Sequence, residues 1–275
     1  MNSSLTMSEM ALAAEEVALK KIGFKPLKSF FLAILAGLYI AIAGNFAALV
    51  SAGSAGIIPF GINKLLMGLV FSVGLVFVVI GGAELFTGST ILSIPVAAKK
   101  VKISRLLSNW LIVYGGNFVG SLLFAVLVIA SKQYTFGSGA FGTAMLSIAS
   151  AKAGLAFMPA FFLGIGCNIL VCLAIWMAFS ARDVAGKILA IVLPITAFVA
   201  LGFEHSVANM YAIPVGLFIK FFDPAFAELA SSTSAIHIEA LTWIHFFLNN
   251  LIPVTLGNIV GGLFIWMGYW FVNHK

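Results

Sequence analysis

The sequence contains very few charged residues. Asp, Glu, Lys and Arg make up 9% of the 275 residues, 62% are hydrophobic, and the mean hydropathy is +1.13. So few polar side chains cannot cover the surface of a soluble globule of this length, which excludes that class of protein. The sequence therefore predicts an integral membrane protein.

Cysteine and the common catalytic motifs are also scarce. Cys167 and Cys172 are five residues apart in one apolar run, so they face different sides of a helix and indicate neither a disulfide nor a metal site. The HExxH, GxSxG and P-loop patterns do not occur. We therefore expect no enzyme, no metal ion and no cofactor. The rival class is an intramembrane enzyme, for which Glu204 and His205 alone are too small a set of reactive groups.

Long apolar runs are what the sequence has in abundance. A run of about 20 residues crosses a bilayer as a helix, and such runs lie near residues 27–52, 64–98, 105–131, 156–180, 186–222 and 241–272. The second and fifth runs are too long for one straight crossing. We predict an all-α membrane protein with six transmembrane helices, of which helices two and five are broken.

The two longest runs each contain a glycine-flanked polar break. These breaks are GGAELFTGST at residues 81–90 and LGFEHSVANM at residues 201–210, and each carries one glutamate. Hydrocarbon offers no partner to an ionised carboxylate or to unwound backbone, so such segments persist only where protein or a water-lined cavity surrounds them. A pathway through the membrane is the first hypothesis.

The two halves of the chain repeat each other. The segment from Asn109 to Gly120 aligns with the segment from Asn250 to Gly261, and Gly82-Ala83-Glu84 aligns with Gly202-Phe203-Glu204. Because each repeat has three spans, the second copy enters from the opposite side, and the repeats are inverted. Close helix packing would explain the glycines alone. It does not explain a glutamate in both breaks.

A cytoplasmic amphipathic helix is predicted within residues 1–26, before the transmembrane pore domain at 27–275. Thr6 and Glu9 have the spacing of a capping box, and one face is apolar. This helix either lies on the membrane surface or plugs the pore mouth. The sequence leaves both possibilities open.

Lys and Arg are divided unevenly between the two sides of the predicted spans. The side of the N-terminus holds most of the 15 Lys and Arg residues, and the other side keeps only Lys64, Lys132, Lys152 and Lys220. Cytoplasmic loops retain positive charge, so both termini are predicted to be cytoplasmic. This asymmetry explains the net charge of +6 and gives no reason to expect nucleic acid. The basic loop at 99–105 either signals topology or contacts anionic membrane lipid.

Four segments resemble the formate/nitrite transporter family, and most of all its formate channels. They are GGAELFTGST, NWLIVYGGNFVG, GFEHSVANMYAIP and NLIPVTLGNIVGG. The resemblance runs from about residue 26 to the end of the sixth span. It implies an aquaporin-like protomer with its own pore, a homopentamer, and a place in the bacterial cytoplasmic (inner) membrane.

The resemblance also implies roles for single residues. His205 would lie centrally in the pore with Thr87 facing it, Asn209 and Asn258 would tie the breaks to neighbouring helices, and Lys152 would attract anions in a vestibule. Glu204 is interpreted as structural, because a free carboxylate would repel an anion. An outer constriction would comprise Phe71, Phe86 and Phe198, and an inner one Leu75, Leu85 and Val171.

The implied substrate is formate, with nitrite or hydrosulfide as the alternative. Burying a bare carboxylate costs on the order of tens of kcal/mol in the idealised limit. Protonating an acid with a pKa near 4 at pH 7 costs about 4 kcal/mol. The mechanism expected is proton sharing near His205 and Thr87 followed by passage of the neutral acid. Pairing of the anion with a protonated His205 is the alternative, and passive and proton-linked transport both stay open.

Overall fold

The computed structural model describes residues 4–234 and 236–274, in which every regular element is helical. Residues 1–3 and 275, the outer ends of the two predicted domains, lie outside the described residues. The helices are α1 (Met7–Ile22), α2 (Pro26–Ser51), α3 (Phe60–Gly81), α4 (Ser93–Ala97), α5 (Ile103–Ala130), α6 (Ala140–Ala153), α7 (Phe157–Ser180), α8 (Val184–Ala200), α9 (Ser206–Phe222), α10 (Pro224–Ser234), α11 (Trp243–His245) and α12 (Ile252–His274).

Within the described residues, five helical segments are long and apolar enough to cross a membrane. They are α2, α3, α5, α7 and the segment Trp243–Asn273, in which a π-helical turn at Phe246–Leu251 joins α11 to α12. A sixth is counted only if α9 and α10, which bend by 114°, form one span. The chain is therefore a multi-pass membrane protein.

The backbone leaves helical geometry within both predicted polar breaks. The first interval lies between the end of α3 and a 3-10 helix at Gly88–Leu92, and the second lies between α8 and α9. Each begins with a glycine in the left-handed region, Gly82 at φ 71° and Gly202 at φ 72°. Residues with a Cβ rarely adopt that conformation, so the two glycines end their helices in the same way.

Close contacts hold α2 against α5 and α7 against α12. A Cβ on Gly120 would overlap the carbonyl oxygen of Ile34, and a Cβ on Gly257 would overlap that of Phe161. These glycines thus serve as small residues that let two backbones approach. Close helix packing therefore explains these two glycines. It does not explain the polar breaks.

Helix α1 has the predicted capping box and packs on the helical body. The Thr6 amide donates to Glu9 Oε2 at 2.7 Å, and the Glu9 amide donates to Thr6 Oγ1 at 3.4 Å. Its buried face, formed by Met10, Ala14 and Ala18, joins a cluster with Trp176 and Trp266. Met7, which the sequence placed on the apolar face, is 46% exposed.

Candidate functional site

Asn117 anchors the first break to the surrounding helices. Its side chain is fully buried on α5. Its Oδ1 accepts from the amide of Phe86 at 2.9 Å, and its Nδ2 donates to the carbonyls of Ala33 at 2.8 Å and Glu84 at 2.9 Å. The unwound backbone of the first break thereby gains partners that a helix would have supplied.

Asn258 does the same for the second break from the matching position on α12. Its Oδ1 accepts from the amide of Ser206 at 2.9 Å, and its Nδ2 donates to the carbonyls of Gly164 at 2.8 Å and Glu204 at 2.9 Å. Two asparagines aligned in the sequence repeat therefore make the same three bonds. This is the structural counterpart of the predicted repeat.

Thr87 and His205 meet where the two breaks face each other. Thr87 Oγ1 lies 2.9 Å from His205 Nε2, and both residues are buried. His205 is also the N-cap of α9, because its Nδ1 accepts from the amide of Ala208 at 3.0 Å. A neutral ring that accepts at Nδ1 carries its proton at Nε2. His205 therefore donates to Thr87, and the Thr87 hydroxyl proton is available to another acceptor.

Asn168 fixes the position of Thr87, and sequence reasoning did not identify it. Its Nδ2 donates to the carbonyl of Thr87 at 3.2 Å and to that of Asn258 at 2.6 Å. The Thr90 hydroxyl donates to the same Thr87 carbonyl at 2.8 Å. A lone asparagine in the apolar run 156–180 was the available signal.

Lys152 and Glu204 form a partly buried ion pair beside His205. Lys152 lies in the last turn of α6, a helix outside the six predicted apolar runs, and its Nζ is 2.7 Å from Glu204 Oε1. Glu204 Oε2 accepts from Asn209 at 2.6 Å and from Asn250 at 3.2 Å. Glu204 thus has asparagine donors, as its structural interpretation required.

A second lysine–glutamate pair lies in the other half of the repeat. Lys21, near the end of α1, contacts Glu84 Oε1 at 3.0 Å. Lys21 was not singled out from the sequence, although a signal was present. The segment KIGFKPLKSFFL begins at Lys21, and AGLAFMPAFFL, which follows Lys152, has its glycine and FFL at the matching spacing.

Three cavities lie in series, and the middle one shares lining residues with each of the other two. The outer cavity, about 340 Å³, is lined by Lys152, Glu204, His205, Phe71 and Phe198 among others. The inner cavity, about 470 Å³, is lined by residues that include Lys21, Glu84, Leu75 and Leu85. Between them lies a chamber of about 10 Å³ bounded by Phe71, Phe198, Leu75, Leu85, Val171 and His205, with Ile40 and Ile195. A cavity of that volume holds at most about one water molecule. The chamber is therefore the narrow point between the two larger cavities.

The rings of the two constrictions are not all where the sequence placed them. Phe71 and Phe198 pack edge to face with centroids 5.5 Å apart, and Phe198 lies 6.0 Å from the His205 ring. Phe86 instead packs on Trp110 at 5.9 Å and on Tyr114 at 4.8 Å. It is not among the described residues that line the three cavities. Of the three rings expected in the outer constriction, Phe71 and Phe198 line these cavities, and the Phe86 ring packs against Trp110 and Tyr114 of α5.

Comparison with known proteins gives a consistent result. The sequence model of the formate/nitrite transporter family matches residues 8–271. The chain belongs to this family. Formate channel FocA of Escherichia coli (strain K12) is 42% identical over 98% of this chain and 94% of its own length. Formate channel FocA of Haemophilus influenzae is 41% identical over 94% and 91% of the two chains.

Solved structures agree with this membership of the formate/nitrite transporter family. A structure described as a pentameric formate channel with formate bound has a TM-score of 0.81 and 42% identity, covering 91% of this chain and 98% of its own. A structure described as an FNT family ion channel has a TM-score of 0.76 and 31% identity, covering 97% and 98%. The predicted resemblance is confirmed, and membrane transport is the activity of the class. The relatives carry names of channels and transporters, in line with a protein that is not an enzyme.

Proposed function

We propose that this protein is a formate channel with one pore in each protomer, running through the outer cavity, the chamber and the inner cavity. The observation that carries the proposal is the Thr87–His205 contact at 2.9 Å. His205 of this pair lines the narrow chamber between two cavities that each hold lysines, and Thr87 contacts its Nε2 atom. Small monovalent anions and protons would be the species that meet there.

Anion attraction would begin at the cavity mouths. The outer cavity is lined by two lysines, Lys64 and Lys152, and by one carboxylate, Glu204. Because Glu204 is held by Lys152 and two asparagines, the net charge of this cavity favours a small anion. Lys152 is proposed as the residue that concentrates formate beside His205.

Passage would then require neutralisation of the carboxylate. The chamber is bounded mainly by apolar side chains, and a bare carboxylate in such surroundings loses its hydration without replacement. Protonation at pH 7 costs about 4 kcal/mol for an acid with a pKa near 4. The Thr87 hydroxyl would donate a hydrogen bond to the carboxylate. The proton that neutralises the carboxylate would come from water of the outer cavity through a briefly protonated His205.

Both versions of the mechanism require a second proton on the His205 ring. A second proton on the ring must sit at Nδ1, which accepts from the Ala208 amide at the start of α9. Passage of the neutral acid needs that second ring proton only briefly. Pairing with a formate anion needs it for as long as the anion is beside His205. The cap bond thus favours neutral-acid passage.

The proposed architecture completes the assignment. Segments α3–α4 and α8–α9 would be the broken second and fifth spans of six, in two inverted three-span repeats of aquaporin-like form. Five protomers would assemble in the bacterial cytoplasmic membrane with both termini inside. Residues 1–26 would then form a cytoplasmic N-terminal unit beside the pore domain at 27–275, in contact with membrane lipid. The Lys152 and Lys21 pairs at opposite breaks support the inversion.

A competition experiment tests the proposed substrate. Purified protein in liposomes is given radiolabelled formate together with nitrite, acetate, lactate or hydrosulfide, and protein-free liposomes serve as the control. We expect formate flux above the control, strongest self-competition by formate, and no chemical change in the recovered label. Stronger inhibition by nitrite or hydrosulfide would assign the channel to that anion instead, and conversion of the label would indicate an enzyme.

A further inference from the structure

The two lysine–glutamate pairs are not equally satisfied. Glu204 in the outer pair uses both carboxylate oxygens, Oε1 with Lys152 and Oε2 with Asn209 and Asn250. Each of its oxygens therefore has a hydrogen-bond donor. One of these donors is the Lys152 ammonium, and the other two are side-chain amides.

Glu84 in the inner pair has one oxygen without a donor. Its Oε1 contacts Lys21, whereas its Oε2 is buried and accepts no hydrogen bond from any residue that the structure describes. Ser89 occupies the repeat position of Asn209, and its hydroxyl donates to the Leu85 carbonyl instead. A buried carboxylate oxygen without a donor is costly. In the second break, Asn209 Oδ1 and Ser206 Oγ also have no partner among the described residues, but neither atom belongs to a charged group.

Glu84 lies at the point where a permeating acid leaves the chamber. The next residue, Leu85, lines both the chamber and the inner cavity, and Glu84 lines the inner cavity. The other charged residues that line this cavity are Lys20 and Lys21 on α1 and Lys187 on α8. A neutral acid that passes Leu85 therefore enters a cavity whose lining includes one carboxylate, that of Glu84, and three lysines.

We propose that Glu84 is the proton-accepting residue on the inner side of the pore, and this rests on the proposed passage of a neutral monocarboxylic acid. The acid O–H donates to Glu84 Oε2. That O–H bond breaks as an O–H bond forms on Glu84, and the substrate leaves as its anion. The protonated Glu84 then gives the proton to water in the inner cavity and is a carboxylate again.

The proton moves between two carboxylate groups, one on the substrate and one on Glu84. The O–H bond that breaks is therefore replaced by an O–H bond of the same kind. Protonation of Glu84 also removes its charge from Lys21, which becomes available to hold the released anion. The same exchange runs backward for export, with the proton taken from the inner cavity.

The test separates the pH of the two compartments. Formate flux is measured in right-side-out membrane vesicles at fixed outer pH while the inner pH is varied, for the native protein and for Glu84→Gln. Gln keeps an oxygen for Lys21 but cannot take a proton. We expect a loss on the order of 100-fold in flux, typical of removing a general base, and loss of the dependence on inner pH. Dependence on outer pH should persist.

Two further measurements keep the proposal falsifiable. Glu15→Gln, which removes the other ion pair of α1, to Lys100 at 2.8 Å, should behave like the native protein. Infrared difference spectra on adding formate should show a protonated carboxyl band that Glu84→Gln lacks and that Glu84→Asp retains. Unchanged inner-pH dependence in Glu84→Gln, an equal effect of Glu15→Gln, or absence of the band overturns the proposal. Absence of formate flux in the native protein would instead overturn the proposed function itself.

Discussion

His205 is expected to control how permeation depends on pH, and His205→Asn is the informative change. Asn is among the best N-cap residues, so its Oδ1 replaces the His205 Nδ1 that accepts from Ala208. The variant keeps the start of α9 and loses the titratable ring with its contact to Thr87. His205→Ala loses the cap as well, which costs about 1 kcal/mol of stability.

The magnitude follows from the closed chamber. An acid with a pKa near 4 is neutral in about one molecule in a thousand at pH 7, which corresponds to about 4 kcal/mol, and each unit of acidification raises that fraction about tenfold. The chamber of about 10 Å³ has no room for a hydrated anion. Native uptake should therefore rise as the outer pH falls, by up to about tenfold per unit. In His205→Asn the pH profile should flatten or the ion preference should change.

The assay is initial uptake of radiolabelled formate into proteoliposomes, at outer pH values between about 5 and 8 and a fixed inner pH. Size-exclusion profiles establish that the variant is assembled. His245→Asn is the matched control, because His245 does not line the three cavities and its Nδ1 lies 2.9 Å from the carbonyl oxygen of the nearby Ala240. Native rate and native pH dependence in His205→Asn would reduce the histidine to a structural support and refute the reasoning.

Three other predictions concern the constriction, the anchors and α1. Phe198→Ala opens the ring pair with Phe71, so flux should rise and size selection loosen in uptake assays with larger carboxylates, and an unchanged selectivity would contradict the assignment. Asn258→Leu leaves the buried Ser206 amide without an acceptor, which should lower the free energy of unfolding by about 1–3 kcal/mol. The measurement is the midpoint of unfolding, which should fall. An equal fall in Asn273→Leu would argue against a special role of Asn258 as an anchor. Hydrogen bonds from Thr6 hold the pKa of Glu9 below its usual value. The capping box therefore stabilises α1 in full at pH values above the ordinary pKa of a glutamate. That stability should be lost as the pH falls through the lowered value, and amide exchange at the start of α1 should rise only in that acidic range.

The sequence is sufficient for features that depend on local composition and on repetition. Apolar length located the membrane-crossing runs, Gly82 and Gly202 marked the helix ends, and the alignment of Asn117 with Asn258 revealed the repeat. These signals are readable because a helix in hydrocarbon must satisfy its own backbone. A break in such a helix therefore differs from the rest of the span in amino-acid composition as well as in backbone geometry.

Side-chain direction inside the breaks was decided only by the tertiary structure. Helical periodicity does not apply to unwound backbone, so nothing in the sequence alone showed that Thr87 turns toward His205 while Phe86 turns toward Tyr114. The Lys21–Glu84 pair joins residues 63 positions apart, and only the packing of α1 on the helical body brings them into contact. The sequence determined where the chain must break. The bonds that Asn117, Asn168 and Asn258 make across neighbouring helices then determined which atoms of the two breaks face each other.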